Sequence, residues 1–158
     1  MSYRWLALAR VLHVLAVVVW IGGVAAVTTV VFPLMRRFGS NEQKLWMFRE
    51  VEKRFRPQAR LAWLLVGLSG FYMVGSLGAW ARFTNARYWW MDAMVVLWAV
   101  FGLMLFVMEP LVVGPRLERR LQSEPERALA RIAAMHWVLL VASLAVIGAV
   151  VAGVYGWF

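Results

Sequence analysis

From residue 5 to residue 35 the chain carries one formal charge, Arg10, and one further ionisable side chain, His13. A run this long and apolar satisfies its backbone internally as a helix. It exceeds the roughly 20 residues that cross a ~30 Å hydrocarbon core. The excess predicts a helix that tilts or projects beyond the bilayer, with Pro33 and the pair Arg36-Arg37 marking its exit. Three further runs follow at about 59–81, 88–113 and 131–156. The expected fold is all-α: an integral membrane four-helix bundle in a single domain, its helices facing the lipid bilayer.

Composition supports this and removes several function classes. Hydrophobic residues make up 63% of the chain, against about 45–50% in a soluble domain. There is no cysteine, which excludes disulfides, thiolate metal sites and iron–sulfur clusters. No cleavable signal peptide is expected, because the first apolar run is too long and no A-x-A-type site ends a short one. The net charge of +9 is placed as headgroup-facing and topology-setting charge; no nucleic-acid motif accompanies it, so nucleic acid is not an expected partner.

Four spans put both termini on one side. Arg4, Arg10, Arg82 and Arg87 fall on that side, and the remaining thirteen of the 17 basic residues fall on the other. The positive-inside rule then predicts an N-out/C-out protein of a bacterial-type inner (plasma) membrane. Trp5, Trp80, Trp89, Trp90 and Trp157 fall near the outer boundary and Trp63 and Trp137 near the inner one. Trp20 and Trp98 lie deeper, which calls for packing or contact with a flat ligand.

Between spans one and two, Leu45, Phe48, Val51 and Phe55 recur at helical steps among basic residues. This pattern fits either a surface helix or an extension of span two. Gly67, Gly70, Gly75 and Gly78 in span two invite close helix approach. Ser123 followed by Glu126 fits a capping box with Pro125 in the first turn. In the last span two small-residue rows, Ala145-Ala149-Gly153 and Gly148-Ala152-Gly156, read as packing surface.

An ionisable residue inside a membrane helix is costly and marks a candidate site. The chain has two histidines, and both lie in apolar runs. His13 and Trp20, seven residues apart, share a helix face with Ala16 and Val17 between them. The small residues leave room for something flat, and a neutral imidazole is an axial haem ligand; the alternative is a hydrogen bond to a neighbouring helix. His136 shares a face with Ser143. It is a candidate to pair with Glu109 or to hold a second cofactor or copper. The two histidines are expected to differ in depth by roughly 12–16 Å, which disfavours one shared haem. Met91 and Met94 match His13 in depth as second ligands. Arg10, one turn above, suits a haem propionate, Asp92 or a lipid phosphate, and Arg87 and Tyr88 suit the same rim. No phosphate loop, H-E-x-x-H or nucleophile elbow occurs.

Arg10, His13, Trp20 and Gly23 resemble the first helix of the HemJ-type protoporphyrinogen oxidase family, where a basic residue precedes a histidine by three and a tryptophan and glycine follow. The same His–Trp–Gly pattern, ending in Phe32-Pro33, is similar to the copper-resistance protein D family. The likeness covers about twenty-five residues. It implies a helical membrane bundle and, for the HemJ-type family, haem b with His13 as a ligand. Where that family places a lysine after a tryptophan in span three, this chain has Met94, which makes Met94 a substitute ligand. The leading expectation is haem b-dependent electron transfer with a membrane-soluble quinone or porphyrinogen. Copper handling, and an accessory role in a homo-oligomer or larger membrane complex, are the alternatives.

Overall fold

The computed structural model describes residues 3–37, 40–113, 120 and 123–157, without the side chains of 109–113. Every regular element among them is helical. Helix α1, Tyr3–Ala26, continues through a π-helical segment, Val27–Val31, into the short α2, Phe32–Met35. Helix α3 is Asn41–Ser76, α4 is Trp89–Leu103 and α5 is Pro125–Val154. Four helical stretches, Tyr3–Met35, Asn41–Ser76, Ala86–Met108 and Pro125–Val154, are long and apolar enough to cross a membrane. The start of α1 meets the end of α3 at His13 and Gly70, and the start of α4 meets the end of α5 at Trp90 and Gly153. Both chain ends therefore lie at one end of the bundle, called the termini end below.

The two π segments have local causes. A proline at position i cannot donate, and its ring crowds the carbonyl of residue i−4. Pro33 sits at the edge of the first π segment, where Thr28 and Thr29 also turn their hydroxyls back onto Val24 O and Ala25 O at 2.6 and 2.8 Å. Pro110 lies within the second, Met104–Val113. In a π turn residue i bonds to i−5, so Pro110 leaves the carbonyl of Leu105 without its N–H. The guanidinium of Arg60 on α3 supplies the missing donor, Nη2 to Leu105 O at 3.0 Å, and also lies over the Phe106 ring.

The basic stripe before span two is an extension of that span, since α3 runs unbroken through Pro57. Its apolar face turns inward. Phe55 fills the space that a Cβ at Gly23 would need, and Met47 and Phe48 pack with Phe32, Met35 and Ala133. The helix ends at Ser76, five residues before the expected 81, because Gly78 takes a left-handed φ of 60° that closes it. At α5 the expected capping box is not made. The helix starts at Pro125 with Glu124, not Ser123, at the N-cap; Ser123 turns its hydroxyl to Arg120 O, and Glu124 makes no side-chain cap.

The main core joins all four spans. Trp20, buried to 4% exposure, packs edge-on against Phe101 with centroids 4.7 Å apart, among Ala16, Ala62, Val66 and Leu140. Trp98 is also a packing residue, and Trp63 is its partner rather than a boundary residue. Their rings stack at 4.3 Å and 4°. Each indole N–H donates to the other's backbone carbonyl, at 2.7 and 3.0 Å. Each ring rests where the Cβ of a glycine would be: Trp98 on Gly67, Trp63 on Gly102. Phe71 contacts Trp98 and Phe106 contacts Trp63. The arrangement is a local two-fold clasp. It follows from a repeat, W-x-x-x-G-L-x-x-F, at residues 63–71 and again at 98–106.

Candidate functional site

His13 lies on the face of α1 that meets α3. Its Nδ1 stands 3.1 Å from Val66 O and 3.1 Å from Ser69 Oγ. A carbonyl can only accept, so Nδ1 carries the proton and donates it. The Ser69 hydroxyl donates to Leu65 O on its own helix and shares the Nδ1–H as a second acceptor. In the neutral imidazole this leaves the lone pair on Nε2. Gly70 makes the approach fit, since a Cβ there would stand 3.2 Å from His13 Cε1. The serine and glycine that receive His13 lie at the level where the notched face of α3 was expected to admit a neighbour.

His136 repeats the pattern within one helix. Its Nδ1 donates to Ile132 O, one turn back, at 2.9 Å, which again leaves the lone pair on Nε2. The ring stands edge-on to Phe32, centroids 5.2 Å apart. Phe32 is nineteen residues along the first span from His13, roughly 25–30 Å at helical rise. The separation exceeds the expected 12–16 Å, because His136 packs on the very end of that span. One haem cannot bridge the two. Glu109, its expected partner, lies outside the residues whose side chains are described. Ser143, on the same face of α5, is fully buried and donates to Leu139 O.

The other candidates scatter. Trp20 belongs to the core. Arg10 is exposed at the termini end, and no ion pair joins it to Asp92 among the described residues. Met91 is buried on α4 and Met94 half-buried. On α4 the aromatic partner of α1 is Phe101, which packs against Trp20, about two turns from Met94 and nearly three from Met91, and no described contact brings either methionine to His13.

Among the described residues a cavity opens at each end of the bundle. One, of about 240 Å³ at the basic end, is lined by Phe32, Met35, Leu129 and Ala133 below Arg36, Lys44 and Glu126. The second, of about 320 Å³ at the termini end, is lined by Arg82, Arg87, Tyr88, Trp90 and the end of α5. Neither includes a histidine. Among the described residues no three of His, Cys, Asp or Glu converge, so these side chains alone do not complete a metal's ligand set. An axial imidazole on a haem asks for less, and Nε2 of His13 or His136 meets that chemical requirement. The shape requirement is not met by a ready-made slot among the described residues: the His13 ring packs against Gly70 in the α1–α3 seam, and neither cavity reaches it.

Against known proteins, no family model matches the chain, no curated protein matches it, and no solved structure matches its fold.

Proposed function

We propose that this chain is a haem b-binding protein of the inner (plasma) membrane, with both termini outside, that passes electrons to or from a membrane-soluble quinone or porphyrinogen. One observation carries the reading: His13 donates Nδ1–H to a backbone carbonyl. That bond fixes the tautomer, orients the ring and raises the basicity of the remaining nitrogen, as in metal-ligating histidines generally. Val66 O accepts the Nδ1–H and Ser69 Oγ shares it as a second acceptor, so both act by positioning His13. Arg10, one turn toward the termini end, supplies a cation for a propionate. When bound, the haem would supply the one-electron chemistry that these side chains lack. The absorption spectrum of the protein purified after expression with ample haem tests the reading. A Soret band that His13→Ala abolishes and His136→Ala retains is expected; no band in the unaltered protein sinks it.

The closed seam at Gly70 favours a second reading, a non-catalytic subunit of a larger membrane complex in which His13 only ties α1 to α3. Stable co-purification with a partner complex, without a cofactor, distinguishes it from the first.

A further inference from the structure

The termini end of the bundle is poor in cations, yet two of its four arginines converge on one cavity. Arg82 and Arg87 line the space of about 320 Å³ with Tyr88, Trp90, Gly153 and Val154. Among the described residues no acidic side chain lines it. The guanidinium of Arg82 lies over the Tyr88 ring, 5.2 Å from its centroid, which fixes its plane. Neither arginine makes an ion pair or a side-chain hydrogen bond among the described residues. The plain alternative is that they cap the end of α5. Three of the carbonyls there already accept from backbone, Val151, Ala152 and Gly153 from the N–H groups of Tyr155, Trp157 and Gly156, and no hydrogen bond from either guanidinium to the others is found among the described residues.

The rest of the lining is amphipathic. Trp90 is 8% exposed, with its indole against Gly153 where any Cβ would collide. Its N–H has no hydrogen-bond partner among the described residues. Val154 at the rim is 68% exposed. The basic-end cavity differs in the feature that matters, because there Lys44 is already paired to Glu126 at 3.1 Å.

We propose that this cavity binds the phosphate headgroup of an anionic phospholipid, with Arg82 and Arg87 on the phosphate and the first methylenes of the chains against Trp90 and Val154. Planar guanidinium groups suit phosphate, which they can bond bidentately. The volume lies at the small end of ligand sites, which suits a headgroup and not a whole lipid. No lining residue belongs to α1, so the site stands apart from His13 and from the haem reading.

Native mass spectrometry of the full chain in dodecyl maltoside tests this, with short-chain phosphatidylglycerol, phosphatidylcholine of equal chain length, and inorganic phosphate as probes. Phosphatidylglycerol should bind at least ten-fold more tightly than phosphatidylcholine. The Arg82→Gln/Arg87→Gln double variant should weaken phosphatidylglycerol binding at least ten-fold and so erase that preference. Lys44→Gln at the other cavity should keep it. If the double variant does not fold, Arg87→Gln alone should lower the preference at least three-fold. Equal binding of the two lipids, a preference that survives loss of the arginines, or inorganic phosphate competing at equal concentration would each overturn the proposal.

Discussion

The imidazole of His13 donates to a carbonyl fifty-three residues away on another helix, and that of His136 to a carbonyl four residues back on its own. Both bonds leave Nε2 as the lone-pair nitrogen, so as ligands the two are chemically alike. As parts of the fold they differ. The bond from His13 crosses the longest helix contact in the bundle and depends on Gly70 and Ser69 to receive it. The bond from His136 closes on its own turn, and its ring touches the rest of the protein at Phe32. Ligand chemistry is thus coupled to helix packing at one histidine and nearly free of it at the other.

The largest effect is expected where that coupling is forced open. Gly70→Leu adds three carbons beyond a Cβ that already meets the His13 ring, and should destabilise the bundle by about 1–3 kcal/mol as overpacking does. Unfolding by sodium dodecyl sulfate titration in mixed micelles reads the change. Haem binding should fall with it, since the ring must leave its carbonyl. His13→Ala removes one interhelical hydrogen bond and should cost about 1–2 kcal/mol in the same titration. A cost near zero would show that the bond to Val66 does not hold α1 on α3. Ser69→Ala removes the shared acceptor and keeps the carbonyl, for about 0.6 kcal/mol, with any Soret band retained at a slightly shifted wavelength. His136→Ala loses the edge-on contact with Phe32, about 0.5–1 kcal/mol, while its hydrogen bond, closed on its own helix, adds no tertiary tie. A cost for His136→Ala equal to that for His13→Ala would remove the distinction between the two sites.

Much of the fold was legible because its signals are local. Four apolar runs of spanning length became four helices. Pro125 lies in the first turn of the last helix, as its position suggests. Gly75 and Gly78, which suggest close helix approach, meet no neighbour among the described residues, and Gly78 instead closes the helix before the expected 81. The capping box at Ser123 was misread because Ser, Glu and Pro at the right spacing do not oblige the serine to turn toward the helix. The Trp63–Trp98 clasp had a signal that went unread, the repeated W-x-x-x-G-L-x-x-F. Tryptophan at those heights also suits a membrane boundary, and the meaning of the repeat lies in two copies facing each other. At the candidate site the sequence singled out His13 and Trp20 and their common face. It placed Met91, Met94 and Arg10 beside them by depth, and depth says nothing of which helix adjoins which.

By itself the sequence determined the number and apolar character of the spans, the proline in the first turn of the last helix, and the presence of two imidazoles in apolar surroundings. These follow from hydropathy and backbone stereochemistry, which act over a few residues. The tertiary structure alone decided that His13 bonds across to Val66 while His136 bonds to its own turn. It also decided that Arg60 reaches the carbonyl orphaned by Pro110, and that Trp20 is filled around by core. Those outcomes depend on which glycine notch receives which ring. Gly23, Gly67, Gly70 and Gly102 look alike along the chain, and they take up Phe55, Trp98, His13 and Trp63 only once the helices are set side by side at one height.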